Sequence, residues 1–479
     1  MTNASTDITP EQTTFTVYDP RDGSTVATVQ SASREQVSIA LSLARSAHAE
    51  WAATNPADRG SMLRDAADRL RAEAQKLAEL NSRETGKSTD EALAGIMAGV
   101  STLEQYAELG PVHRGLSLRG SLLAADYTVS EPRGVAVLLT PWNDPVAVAA
   151  GLIGAALVTG NTVVHKPSER CPSLGFALGE TLSQAFPDGV FTTLTGGPEV
   201  GTMLTMEDGV DVFAHVGSSA TGGRIARAAV LTGAHVIREN GGNDPLLVDE
   251  DVDPIWAARQ AALGAFANSG QICTSVERIY VHRNIADTFC DALVKEARER
   301  NRNGIAPLVD RRLRDVVDEQ VQHARQTGAR VLEGGSVPDG PGTHYPATVL
   351  TDCTDGMEIM SEETFGPVAP VRVVDSFDEG LNLAATGRYG LAATVLTAGI
   401  EHAHQAIAAL PVGTVKINAV FGGAPGGSAQ PRKDSGHGFG YGPELLDEFT
   451  RVKVVHVGIP ETRSDAAAGS TDYTAGESA

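Results

Sequence analysis

The sequence predicts an α/β protein made of two doubly wound, Rossmann-like units, each a parallel sheet with helices on both faces. Three observations carry this. At 479 residues the chain exceeds what a single hydrophobic core usually supports. From residue 135 onward, short β-branched runs alternate with Ala-rich stretches of helical length, the pattern of βαβ units. A second series of the same kind starts near residue 245.

Residues 1–14 are polar and residues 461–479 are rich in Ser, Ala, Gly, Asp and Thr, so both ends read as frayed tails. Tyr18 to Val29 reads as a hairpin around Asp22-Gly23, because Asp-Gly accepts the positive φ of a tight turn. Helices come next. In Arg59 to Leu80, the residues Leu63, Ala66, Leu70, Leu77 and Leu80 fall on one helical face, which predicts a helix packed on a sheet. The first strand series is Val135–Leu139, Thr162–Val164, Val190–Leu194, Val210–Phe213 and His235–Ile237. Between its first two members, Val146–Thr159 is apolar but too short to span a bilayer, so it reads as a buried helix. The second series comprises Leu246–Val248, Arg278–Val281, a helix on Ile285, Phe289, Leu293 and Ala297, then Val371–Val374, Ala393–Leu396 and Val415–Ile417. Phe421 to Gly442 is glycine-rich and reads as a loop before a last strand, Val452–Val457. No internal repeat is evident.

A net charge of -22 lacks the surplus of Lys and Arg that phosphate backbones require, which argues against a nucleic-acid partner. The four cysteines have neither metal-ligand spacing nor the density of a disulfide framework, so no metal is expected and a reducing cytoplasm fits. The first residues lack a basic segment followed by an apolar one, so no secretory signal and no membrane partner are expected, with the mature chain beginning near Met1.

Four segments carry candidate chemistry. Cys273 lies among small residues in Gly264-Ala-Phe-Ala-Asn-Ser-Gly-Gln-Ile-Cys-Thr-Ser. An exposed thiol there, with helical turns after it, would be a usable nucleophile; the alternative is a buried structural cysteine. Glu239 ends an apolar strand before two glycines, where a partly desolvated carboxylate has a raised pKa and can act as a general base, or else caps a helix or pairs with a cation. Asn143 sits between prolines in Thr140-Pro-Trp-Asn-Asp-Pro, placed either to donate to an oxyanion or to form an Asx-turn. His215-Val-Gly217-Ser218-Ser219-Ala-Thr-Gly222-Gly223 leads from a strand into a helix, where backbone NH groups can meet a pyrophosphate or the glycines can merely turn the chain. Glu169, in His165-Lys166-Pro167-Ser168-Glu169, can accept from an adenosine ribose and repel a 2'-phosphate, which favours NAD over NADP.

Taken together, in the order Pro-Trp-Asn, Lys-Pro-Ser-Glu, Gly-Ser-Ser, Glu-x-Gly-Gly and Gly-Gln-x-Cys, these segments resemble the aldehyde dehydrogenase superfamily. Glu362-Glu363-Thr-Phe365-Gly-Pro367 and Lys433-Asp-Ser-Gly436 extend the likeness, which spans residues 15–458. The resemblance implies Cys273 as nucleophile, Glu239 as the base that activates the hydrolytic water, and Asn143 with the Cys273 NH as oxyanion hole. It implies cofactor contacts at Thr140, Trp142, Lys166, Ser168, Glu169, Gly197, Gly217, Ser218, Glu363 and Phe365. The implied reaction oxidises an aldehyde to a free acid through a Cys273 thioester with NAD as acceptor. The implied organisation is an NAD-binding domain (15–111 and 133–241), a catalytic domain (242–440) and a small β flap (112–132 and 449–458) that pairs subunits into a homodimer or homotetramer.

The sequence departs from the commoner pattern of that superfamily where substrate is expected. Asp144 replaces an aromatic residue, Gly151 a bulky one and Ala267 another aromatic one; Leu152 stands where many relatives carry Lys, and Ser428-Ala-Gln-Pro-Arg replaces Pro-Phe-Gly-Gly. With Ile272 and Thr274 beside the thiol, Asp144, Gly151 and Ala267 are the expected substrate-pocket positions. Asp144 either favours polar or cationic substrates or caps the following helix. Two other readings of the chain stay open: a semialdehyde-specific dehydrogenase, which requires an Arg or Lys in the tunnel, and a non-catalytic binding protein on the same fold.

Overall fold

In a computed structural model, residues 13–422 and 427–460 are described; most of both predicted tails, and residues 423–426 of the glycine-rich loop, lie outside them. The first strand series assembles into one sheet around Val135–Leu139, whose five residues are all buried. Thr162–Lys166 and then Phe191–Thr193 add in parallel on one side; Val212–Gly217 and then His235–Asn240 add in parallel on the other. The chain therefore reverses its direction of growth between Val135–Leu139 and Val212–Gly217. In open α/β sheets that reversal opens a crevice at the carboxyl ends of the strands, where ligands bind.

The second series forms a seven-stranded sheet in the order Arg330–Glu333, Thr348–Thr351, Val368–Val374, Val276–His282, Asp244–Val248, Ala392–Leu396, Thr414–Ile417. All its pairings are parallel except the first. A third sheet joins Thr450–Val457, Ala125–Pro132 and Ser117–Leu118, antiparallel throughout. The glycine-rich segment is not all loop, because Gly436–His437 adds to the edge of the first sheet, with Gly436 opposite Glu239. Asn240 completes the clamp, its NH donating to the Ser435 carbonyl at 2.8 Å and its side-chain amide to the Asp434 carbonyl at 3.1 Å.

Pro145–Val158 is buried on nearly every side, as expected for a helix apolar all round. It contacts the sheet on one side and the helix Thr89–Leu109 on the other. This second contact corrects the reading of Arg59 to Leu80. The segment is two helices, Pro56–Ala72 and Ala74–Thr85, divided where Glu73 leaves helical geometry at φ -94° and ψ 2°. Both pack mainly on Thr89–Leu109 and not on a sheet, because Pro145–Val158 and Pro172–Ser183 already occupy that sheet face. The predicted hairpin forms from Thr14–Tyr18 and Thr25–Gln30, and Gly23 takes φ +75° in its turn. No helix among the described residues is long and apolar enough to cross a membrane.

Candidate active site

The segment that presents Cys273 is a tight turn in which Asn268 and Ser269 both adopt left-handed backbone, φ +47° and +56°. Such a conformation costs free energy and persists only where surroundings hold it. Here the Gln271 side chain donates to the Asn268 carbonyl at 3.0 Å and accepts from the Val309 NH at 2.9 Å. The Ser269 hydroxyl donates to the Ala306 carbonyl at 2.6 Å and the Ser275 hydroxyl to the Gly270 carbonyl at 3.0 Å. Gly270, at φ +75°, approaches so closely that a Cβ would lie 2.1 Å from the Gly366 carbonyl oxygen. Beyond Cys273 the chain enters the strand Val276–His282, which corrects the expectation of helical turns.

Cys273 is exposed, so it is not a buried structural cysteine. Its thiol pKa is nonetheless raised, first by the surrounding protein and then by the carboxylates Glu239, Asp244 and Glu363; Lys416 opposes them. Asn143 reaches this segment directly, its amide donating to the Gln271 carbonyl at 3.2 Å. Its own carbonyl accepts from the Lys87 ammonium, which fixes the backbone on which the amide is mounted.

Glu239 lies at the end of its strand with one carboxylate oxygen accepting from the Gly440 NH at 3.0 Å. Burial pushes its pKa up to about 8, against the opposing effect of that hydrogen bond. Gly440 is sterically required, since a Cβ there would lie 2.1 Å from Glu239 Cγ. Gly440→Ala is therefore expected to displace the Glu239 carboxylate and lower turnover about tenfold or more, with little change in Tm. Measuring kcat beside a melting curve checks this, and unchanged kcat would show that the carboxylate's position there is unimportant.

Glu363 accepts from the Gly242 NH at 3.2 Å and is held protonated well above the usual carboxylate range by burial and the nearby Glu277. The loop that carries it is clamped from below. Glu277 accepts from the NH groups of Thr364 at 2.9 Å and Phe365 at 2.8 Å, and from the Asn243 amide at 3.3 Å. Gln320 donates to the Glu363 carbonyl at 3.2 Å and accepts from the Thr364 hydroxyl at 2.8 Å. Phe365 is thereby held at φ +52°, its ring edge-on to Trp142 with centroids 5.6 Å apart. The Arg170 guanidinium lies over the other aromatic partner, 5.1 Å from the Trp142 ring centroid.

Glu277 was missed because it opens a strand read only from Arg278 onward. The signal was available: Glu277 and Arg278 are two charges inside a wholly buried strand, which is tolerable only if both are fully bonded. Glu277→Ala orphans three buried donors and is expected to cost about 3 kcal/mol of stability in urea denaturation. Glu277→Gln keeps an acceptor oxygen and should lose clearly less; equal losses would remove Glu277 as the clamp.

The remaining expected cofactor positions line the carboxyl edge of the first sheet. Thr140 Oγ1 lies 2.9 Å from His165 Nε2, and the Lys166 ammonium donates to the Pro167 carbonyl at 2.8 Å. Ser168 accepts from the Arg170 NH at 3.2 Å, with Glu169 between them in sequence and close enough to raise the Lys166 pKa that burial depresses. Gly197 precedes the helix Pro198–Met206, while Gly217 leads into Ser218, which caps the helix Ser219–Thr232 by accepting from the Thr221 NH at 3.3 Å. His215 is buried in the strand Val212–Gly217, its pKa pushed down to about 4 by burial against the opposing effect of a hydrogen bond with the Ser218 backbone, and the Ser219 hydroxyl is buried without a partner.

Among the expected pocket positions, Ile272 and Thr274 flank the thiol and Ala267 begins its turn. Gly151 faces Thr102, and Asp144 lies against Gly95 with its Oδ1 3.3 Å from where a Cβ would stand. The capping alternative for Asp144 is overturned: its side chain makes no cap hydrogen bond to Pro145–Val158. Pro145 at the first position offers no NH to cap, and the Asp144 backbone stands at φ -138°, ψ 68°, away from the usual cap geometry. Leu152 is buried in the core.

The family model described as the aldehyde dehydrogenase family matches residues 8–455. Among solved structures, an aldehyde dehydrogenase from Bacillus cereus in complex with NAD+ is 34% identical with a TM-score of 0.90, covering 94% of each chain. An NAD-dependent aldehyde dehydrogenase from Sinorhizobium meliloti is 31% identical at TM-score 0.89, covering 94% of this chain and 93% of that one. A 3,6-anhydro-L-galactose dehydrogenase in complex with NADP is 32% identical at TM-score 0.89, covering 93% and 96%. With the ordered motifs, the two parallel sheets and the family match in agreement over nearly the whole length, this chain belongs to the aldehyde dehydrogenase family.

Proposed function

We propose that the chain oxidises an aldehyde to a free carboxylic acid with NAD as hydride acceptor, through a thioester on Cys273. The observation that carries this reading is an exposed cysteine with the Asn143 amide on the carbonyl two residues before it and a Glu239 carboxyl, tuned to about 8, near enough to act on the thiol.

The crevice suits a dinucleotide. Lys166 ends the strand Thr162–Lys166 and the helix Ser219–Thr232 follows the strand Val212–Gly217; these two strands flank Val135–Leu139, which supports a pyrophosphate at that end of the sheet. Lys166 and Glu169 would hold the adenosine ribose and Glu363 the nicotinamide ribose, with Phe365 and Trp142 as the aromatic wall. Bound there, NAD would supply the acceptor for the hydride released from the substrate carbon. Cys273 Sγ gives up its proton to solvent and bonds the aldehyde carbon; the Asn143 amide and the Cys273 NH hold the resulting oxyanion. After oxidation, Glu239 takes a proton from water as that water attacks the thioester, and Cys273 leaves as the acid is released.

Glu169 supports NAD over NADP by repelling a 2'-phosphate. The exposed Val452, Val454 and Val457 on the outermost strand of the third sheet support a homodimer or homotetramer built on that edge. For the semialdehyde reading, Lys416 is the cation near the thiol, but its ammonium donates to the Val420 carbonyl at 2.8 Å and is opposed by Asp244. NADH absorbance recorded with neutral, aromatic, cationic and carboxylated aldehydes, and with NADP in place of NAD, tests the reading. Turnover with none of them, despite NAD binding, would leave the non-catalytic alternative.

A further inference from the structure

We infer that the chain carries a second ligand site, separate from the cofactor crevice, that binds a phosphate group between Arg227 and Arg238. The site is a cavity of about 420 Å³, lined on one side by Ser219, Gly223 and Arg227 of the helix Ser219–Thr232 and on the other by Arg238, Arg388 and Asp434. That volume falls in the range of about 300–1,000 Å³ that small-molecule pockets occupy.

Charge sets this cavity apart. Three guanidinium groups line it with one carboxylate, in a chain whose net charge is -22. Arg388 and Asp434 satisfy each other at 2.8 Å, and Arg388 also reaches Glu362 at 3.1 Å. Arg227 and Arg238 have no side-chain hydrogen bond or ion pair among the described residues, although Arg238 is half-buried. Guanidinium groups elsewhere find carboxylates: Arg45 meets Asp211 at 2.6 Å, Arg170 meets Asp310 at 2.7 Å and Arg298 meets Glu333 at 2.7 Å. The Arg227 guanidinium folds back along its helix, with Nη1 3.7 Å from where a Cβ of Gly223 would stand. The Ser219 hydroxyl, at the same wall, is buried without a partner. Two guanidinium forks and a hydroxyl that lack acceptors are the complement of a phosphate group, whose oxygens accept several charge-assisted hydrogen bonds at once.

Sheet order separates the cavity from the crevice. The crevice opens between Val135–Leu139 and Val212–Gly217, whereas Arg238 belongs to the next strand out, His235–Asn240, and Asp434 stands just before the edge strand Gly436–His437. Arg238 and Glu239 are consecutive on an extended strand, so their side chains leave opposite faces of the sheet. Glu239 acts on the thiol from one face; Arg238 lines the cavity on the other.

The test titrates inorganic phosphate, by calorimetry at constant ionic strength, into the protein already saturated with NAD. Wild type is expected to bind about one equivalent with a Kd of about 1 mM or tighter, and Arg227→Gln and Arg238→Gln should each weaken it about tenfold or more. Arg227 is exposed on its helix, so Arg227→Gln keeps the test standing if Arg238→Gln folds poorly; melting curves without phosphate check both variants. Glycerol phosphate separates two sources of the group. Tighter binding than inorganic phosphate assigns the site to a phosphate ester whose carbon portion fills the rest of the cavity, and equal or weaker binding assigns it to the free ion. No saturable heat in wild type, or an affinity unchanged in Arg227→Gln, overturns the inference. A phosphate response seen without NAD and lost on saturation with NAD also overturns it, because the ion then occupies the cofactor crevice.

Discussion

Replacing Cys273 with alanine is expected to lower aldehyde turnover about ten-thousand-fold or more while NAD binding persists. The magnitude comes from the chemistry: no neighbouring side chain offers a second nucleophile, since the flanking Ile272 is apolar and Thr274 and Ser275 bear unactivated hydroxyls, that of Ser275 bonded to the Gly270 carbonyl. The raised pKa of the thiol adds a second expectation. In the cofactor-free enzyme the surrounding protein disfavours the thiolate before any charge does, so alkylation of Cys273 by iodoacetamide should be slow at neutral pH and accelerate as pH rises. Steady NADH production by Cys273→Ala would remove the thioester pathway.

Glu239→Gln is the second large effect. The variant is expected to form about one equivalent of NADH per site and then stall, with steady-state turnover down about a hundredfold to ten-thousandfold. Mass spectrometry should find the acyl group on the peptide containing Cys273. The pH dependence is set by the carboxyl's position near 8. Only its ionised form accepts the water proton, so wild-type turnover should rise as pH passes about 8, and the variant should lack that rise.

Stability is linked to the same group. Its folded pKa lies above its unfolded value of roughly 4.3, so the folded chain binds the proton more tightly. The associated stabilisation is complete below the unfolded pKa and is lost progressively as pH rises through the folded one. Glutamine carries no charge to bury, so Glu239→Gln should gain on wild type between about pH 5 and pH 9, on the order of 2 kcal/mol at the upper end. Denaturation curves across that range check the sign, and a variant that is relatively weaker at high pH would contradict the burial of the carboxyl.

Features that depend on short spans were legible in the sequence. The strand runs around Val135–Leu139 and Leu246–Val248, the all-apolar helix over Val146–Thr159 and the Asp22-Gly23 turn are local matters of side-chain pattern and backbone preference. The ordered motifs identified the aldehyde dehydrogenase resemblance before any geometry was known, and the family match bears it out. Local pattern failed where a long-range neighbour decided. Leu63 to Leu80 keeps helical spacing across Glu73, so periodicity could not reveal a break that depends on how two helices fit against Thr89–Leu109. Nor could spacing show that Gly436–His437, nearly two hundred residues away, adds a strand beside Glu239.

The same distinction runs through the site. By itself the sequence determined the two α/β units and the residue types able to supply a nucleophile, a base and an amide donor, because these are properties of side chains and of neighbours along the chain. Only the tertiary structure decided their states. The pKa of Glu239 is set by the protein packed around it and by the Gly440 NH; the Cys273 thiol is set first by the protein around it and then by carboxyl groups from distant segments; and the Asp144 side chain makes no cap hydrogen bond to the helix it precedes. Desolvation and charge interactions act through space and depend on which segments pack together, information that folding supplies and linear order does not.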